Sequence, residues 1–346
     1  MWRECQETAD GVLMTELHAQ LRSRFAASDT RSGCRRHPRS FRSSRQDQCR
    51  LGTRAASLCL GLLVVAAIPC WADAGWVNSA SIFEVGVSAR ALALGGSSIA
   101  LADDEACVYY NPAALSQLRS SRASSLFSRP FGAYSYSASG VAARNWGAYL
   151  LLLDSDTLVE RDLYGNPIGG FRYASGGLIL GWGCQVSGGL SVGLQLKGYE
   201  VLSPKKGAGL SLSPCILLRD GPRTYGLIRR DLLATGTKFL GGHSEDWPSD
   251  VALGLSWQAE AATFSVDFTE NLVTRGDMSS VRLGVEYTGF APLVLRVGRN
   301  RDWASMGFSI QWKNLGIDFA YLHHYTLPSS YVVSLAVGLP LPSESE

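Results

Sequence analysis

Few stretches of the 346-residue chain carry residue types that do chemistry at a useful spacing. Gly189-Leu190-Ser191-Val192-Gly193 has the spacing of a nucleophile elbow. That chemistry needs a sharp strand-to-helix turn that exposes the serine hydroxyl. Ser191 instead lies within the alternating run Leu190, Val192, Leu194, Leu196, with no helical pattern after it, so it reads as a strand residue. Ser203-Pro204-Lys205-Lys206 places a lysine three residues after a serine, but Pro204 blocks the helical turn that would bring the two together. His323 and His324 are adjacent, and adjacent residues of a strand face opposite ways, so the pair does not hold one ion. His243 stands alone. The sequence therefore presents no catalytic set, no metal set and no cofactor motif.

Two groups of charges remain. Asp103-Asp104-Glu105 follows the short apolar segment 98–102. Lys197, Asp267, Arg282, Glu286, Arg296 and Asp318 are spaced along the second half of the chain, each on the polar side of an alternating segment. Glu286 and Asp318 are expected to pair with Arg282 and Arg296 across neighbouring strands, because unpaired buried charge is costly.

The elements that must position these charges are strands. After residue 118, segments of about ten residues alternate with period two and are broken by Gly, Asn, Asp and Pro, the pattern of β-hairpins. Val251, Leu253, Leu255 and Trp257 share one face; so do Val281, Leu283, Val285 and Tyr287, and Met306, Phe308, Ile310 and Trp312. Fourteen strands are expected, at 122–129, 132–143, 145–153, 171–183, 189–200, 207–218, 223–231, 250–258, 262–270, 279–288, 292–299, 303–312, 315–322 and 329–339. Their connections fall into a short set and a mostly longer set in alternation, as in outer-membrane barrels with short periplasmic turns and long outer loops. Trp257, Tyr287, Trp312 and Tyr321 sit at the strand ends of the apolar faces, where aromatic girdles meet the membrane–water boundary. The expected fold is all-β: a transmembrane antiparallel barrel of about fourteen strands. Leu283→Arg on its lipid face is expected to do more damage than Gly284→Ser on its lumen face.

Composition agrees. Only 18% of residues are charged, against about 25% in ordinary soluble domains. Residues 1–74 hold 11 Lys and Arg against 7 Asp and Glu, leaving 21 against 23 in the remainder. That balance offers no basic face for nucleic acid. Five of the eight cysteines lie before residue 75. The other three, Cys107, Cys184 and Cys215, lack metal-site spacing and form no disulfide framework. Residues 1–49 read as a disordered extension or an over-extended reading frame. Residues 50–74 read as a signal peptide: Arg50 and Arg54, an apolar run 55–68, and Ala72-Asp73-Ala74 at the cut.

Residues 75–118 form a separate segment before the barrel at 119–339. Gly95-Gly96 supplies a backbone break. Asn111 is placed to cap a helix that Pro112 begins. The run 88–96, Ala100-Leu101-Ala102-Asp103-Asp104 and Tyr110-Asn111-Pro112-Ala113-Ala114-Leu115 together resemble the N-terminal signature of the PorV/PorQ family, and the stretches 284–287, 295–298 and 316–321 look like it as well. The family is related more distantly to the FadL hydrocarbon transporters, which also carry an Asn-Pro-Ala segment in an N-terminal hatch. The resemblance implies a non-enzymatic outer-membrane protein with residues 75–118 as a plug, acting in protein secretion with secreted cargo or other secretion components as partners. The alternatives are a FadL-like transporter with a hydrophobic ligand, and a porin-like or structural barrel. One feature departs from outer-membrane barrels, which usually end on an aromatic: residues 340–346, Pro-Leu-Pro-Ser-Glu-Ser-Glu, form an acidic tail, expected to be disordered or to serve another use.

Overall fold

The structure, a computed structural model, describes residues 81–339 except 102, 204, 248 and 272–279. The expected extension, signal peptide and acidic tail lie outside the described residues. Seventeen strands share one sheet. Three of them are stubs of two or three residues within one loop. The other fourteen form a continuous antiparallel wall: β1 (Arg122–Ser128), β2 (Tyr134–Ala143), β3 (Trp146–Ser155), β4 (Ala174–Ser187), β5 (Leu190–Ser203), β6 (Gly207–Asp220) and β7 (Arg223–Arg230); then β8 (Asp250–Gln258), β9 (Ala262–Asn271), β10 (Ser280–Phe290), β11 (Leu293–Arg299), β12 (Trp303–Trp312), β13 (Leu315–His324) and β14 (Ser330–Gly338). β14 returns to pair with β1, from Arg122↔Gly338 to Ser128↔Val332, which closes the barrel and leaves no edge strand. The fold class and strand number expected from the alternation are those observed.

Period two decides which way the wall faces. On β8, Leu253, Leu255 and Trp257 are 42–50% exposed, while Ala252 and Ser256 between them are buried. Leu150 and Leu152, Leu178 and Leu180, and Tyr331, Val333 and Leu335 repeat this on other strands. An outer surface this apolar is stable against hydrocarbon, so the barrel is of the membrane-spanning, outer-membrane type. Trp146, Trp182, Trp257 and Trp312 are all exposed near the end with the two-residue turns, and Phe127 and Tyr331 near the opposite end. The tight turns use Asn145 and Lys313 at positive φ, as two-residue hairpins require. The longer connections lie at the other end. Residues 158–171 there fold back as a hairpin of Leu158–Arg161 against Pro167–Phe171.

β10 departs from the expected exposure. Leu283, Val285 and Tyr287 fall on its outer face by register but are only 4–9% exposed. Phe264 and Val297 of the flanking strands close over the first two, and Tyr287 packs edge-on against Phe290. Tyr287 is therefore no girdle residue, and Tyr321 is half-buried, with its hydroxyl on Ser329. Leu283 carries a packing role beyond lipid contact.

The core lies inside the barrel, around residues 81–118. This segment holds two short helices, α1 (Ala89–Ala93) and α2 (Cys107–Tyr110), and 3-10 turns at Ser81–Glu84 and Pro112–Gln117. Ile82, Val87, Leu94, Ile99, Val108 and Leu115 are at most 1% exposed. The lumen is thus filled by a plug whose apolar side chains meet the small inward residues of the wall. Small residues are needed where backbones meet: a Cβ on Gly254 would stand 2.8 Å from Ile99 Cβ. At Gly284 it would stand 2.8 Å from Leu94 Cβ, so Gly284→Ser is not the mild change the sequence suggests.

Candidate functional site

The wall's inward polar side chains are spent chiefly on the plug. Asp267 on β9 accepts from the backbone N–H groups of Ser98 and Ile99, at 2.7 and 3.0 Å. Gln195 on β5 donates to the carbonyls of Val108 and Tyr109, both at 2.8 Å. Tyr136 holds the Gly86 carbonyl, Asn300 the Gly95 carbonyl and Ser256 the Ala100 carbonyl. Within the plug, Asn111 accepts from Ala113 N–H and caps the turn that Pro112 starts; its amide then bridges to Ile99 of the plug and Ile216 of β6. Gly95 and Gly96 both adopt positive φ, and at Gly95 the Arg299 backbone approaches closely enough to exclude a side chain.

The lumen charges divide into separate groups. Arg296 joins Glu286 at 2.6 Å and Asp318 at 3.3 Å across β10, β11 and β13. The second cation on Glu286 is Arg90 of the plug, at 2.8 Å, which also binds Asp103 and Asp104 at 2.7 and 2.8 Å. Arg282 stays outside this cluster; it faces Asp267 in register and lies against Gly96. The expected Arg282 pairing with Glu286 or Asp318 is therefore not the one formed. Lys197 pairs with Asp231 at 3.1 Å. Burial works against a charged Arg90, but Asp103, Glu286 and Asp104 together hold its guanidinium well above the usual range. Burial also raises the Asp104 carboxyl, despite Arg90. Glu105, buried beside Asp104, is pushed up to about 7 even with Arg122 at 3.5 Å.

Above the plug, at the long-loop end, lies a cavity of about 820 Å³. Val85 and Leu92 of the plug form its floor, Leu153, Val201, Leu322 and Val332 its wall, and Phe131, Tyr134, Phe171, Tyr173, Phe239 and Trp303 its rim. Its charged groups are few, Glu84, Lys205 and Glu245, with His324 beside them. His324 stacks edge-on against Phe131 and Trp303, an aromatic role unlike that of a metal ligand. Below it, sharing Glu84, Leu92 and Trp303, a constricted polar chamber of about 70 Å³ is lined by Lys197, Arg230, Asp231, Asp250 and Arg282. The path from the long-loop end thus begins apolar, narrows onto paired charges and stops at the plug. Among the described residues no cluster with metal-ligand character occurs. Ser191 is fully buried on the strand, bonded to Ser116.

The vestibule was not legible as a site in the sequence. Its residues come from nearly every strand and loop between 84 and 332, and the available hint was the cluster of aromatics just beyond the alternating segments at the long-loop ends.

No protein-family model matches the chain, and no curated protein sequence does. Among solved structures it is similar to the Ralstonia pickettii toluene transporter TbuX, with a TM-score of 0.55 and 14% identity over 74% of this chain and 99% of that one. It is also similar to the Pseudomonas putida toluene transporter TodX, with a TM-score of 0.50 and 12% identity over 73% and 97%. At these identities the likeness is one of fold.

Proposed function

We propose that this barrel binds hydrophobic small molecules in the vestibule at its long-loop end and passes them inward across the outer membrane, with the plug as the gate. The observation that carries the reading is the cavity itself. Its volume lies within the range of about 300–1,000 Å³ usual for small-molecule sites, and seven aliphatic side chains and six aromatics dominate its lining. An apolar solute gains by leaving water there, whereas an ion or a sugar finds few polar partners. The fold shared with two toluene transporters supports the same substrate class. The role in protein secretion implied by the family resemblance has no comparable support: the neighbours are small-molecule transporters, and the vestibule is lined for a compact apolar solute. The polar chamber and tethered plug also separate this barrel from an open porin at rest.

The test is equilibrium binding of naphthalene, a fluorescent apolar probe, to protein in lipid nanodiscs. Leu322→Asn with Val332→Asn removes two apolar wall contacts and should weaken binding about tenfold, roughly 1.4 kcal/mol. Equal affinity in the two proteins, with both folded, would place the probe elsewhere.

A further inference from the structure

We propose that an arginine-lined basin at the turn end of the barrel docks an acidic peptide segment, and that the segment is this chain's own 343–346 stretch with Glu344 and Glu346. The basin has a volume of about 710 Å³. Its cations arrive from three separate places: Arg119 where the plug joins the wall, Arg144 in the β2–β3 turn and Arg219 near the end of β6. All three are exposed, and none forms an ion pair with a described residue. Among the described residues no carboxylate lines the basin. Of the neighbouring acids, Asp103 holds Arg90 and Glu105 holds Arg122, while Asp220 sits opposite Arg223 in the β6–β7 register. Glu260 belongs to the adjoining depression. Three like charges around one basin, without a counterion among the described residues, repel one another, and an anionic segment laid among them relieves that repulsion.

The position of the tail selects the occupant. The backbone N–H of Leu339 donates to the Ser121 carbonyl at 2.8 Å, and Ser121 is part of the basin lining. Leu339 therefore sits at the basin's rim. Residues 340–346 contain two glutamates and no base. Fully extended, seven residues span about 23 Å, ample to cross the basin. Pro340 and Pro342 restrict the free chain, so less conformational entropy is lost when it docks. Docked there, the acidic tail would lie over Gln117 and Leu118, where the plug enters the wall.

The test is the rate at which a glutamate-specific protease cuts after Glu344 in the folded, membrane-extracted protein, followed by mass spectrometry. At low salt the tail of the unaltered protein should be cut about tenfold more slowly than that of the Arg144→Glu/Arg219→Glu variant. Arg144→Lys/Arg219→Lys should keep most of the protection. The difference should collapse near 1 M salt, where screening acts within about 3 Å. Heat-dependent gel mobility confirms that each variant has folded. Equal cutting of the unaltered and Glu-substituted proteins at low salt would overturn the proposal. So would a free tail accompanied by capture of an added acidic peptide, since that outcome gives the basin to another chain.

Discussion

Arg90→Ala should open the barrel without dismantling it. Arg90 is the cation through which the plug reaches Glu286 of the wall, and its side chain is 14% exposed. It also holds Asp104, 20% exposed, and Asp103, 57% exposed. Removing one partner of a buried pair costs about 3–5 kcal/mol, because the remaining charge has lost its counterion. Two features pull the value toward the lower bound. Glu286 keeps Arg296 at 2.6 Å. Asp103 is exposed enough that its pair contributes at most about 1 kcal/mol. The estimate is about 3 kcal/mol, which multiplies the population with a displaced plug by roughly 10². The wall loses no strand pairing, since Arg90 belongs to α1 and not to the sheet. Arg90→Lys should recover part of the loss, because an ammonium cannot fork between three carboxylates as a guanidinium does. Planar-bilayer conductance reads the outcome, with heat-dependent gel mobility as the check on the barrel. Closed behaviour identical to the unaltered protein, or a variant whose barrel fails to form, would rule out Arg90 as the plug's tether.

Other perturbations test other links. Glu105 has a carboxyl pKa raised from its usual 4.5 to about 7, so the folded protein binds a proton more tightly than the unfolded chain; the resulting stabilisation is complete below about pH 4.5 and is lost as pH rises through 7. Plug-dependent conductance should therefore rise between pH 5 and 8, and Glu105→Gln should flatten that profile. Gly298→Val would drive a side chain into Leu94 and Gly95 of the plug; protease sensitivity of the plug should increase while circular dichroism of the strands is retained. Asn111→Ala removes a cap and two carbonyl contacts and should cost the plug about 1 kcal/mol or more, seen as faster amide exchange over 99–115. Leu255→Arg sets a cation on a 42% exposed outward position and should reduce folding stability in lipid vesicles by about 2–4 kcal/mol if it lies near the midplane.

The wall was legible because its rule is local. Period-two alternation, interrupted by turn residues, located each of the fourteen wall strands within a few residues, including the limits of β8 and β12, but not the 158–171 hairpin. The cap at Asn111-Pro112 was legible for the same reason, since its bonds span only a few positions. What escaped depended on distant pieces meeting. Nothing within 282–286 announces that Glu286 will share Arg90, 196 residues earlier, while Arg282 turns toward the plug glycines. Gln195, Asn300 and Ser305 hold plug backbone, and no local pattern around them announces it. The burial of Leu283 and Val285 depends on the bulk of neighbours on two other strands, which alternation cannot report. The vestibule collects residues from the ends of many strands, where the two-residue period stops carrying information.

Uptake of naphthalene by cells separates a hydrophobic transporter from a closed barrel. Cells carrying the barrel in their outer membrane would be compared with cells carrying the folded Leu322→Asn/Val332→Asn variant and with cells lacking the protein. Uptake should be faster with the unaltered barrel and return toward the rate of barrel-free cells with the variant. Uptake that is the same in all three would contradict hydrophobic transport.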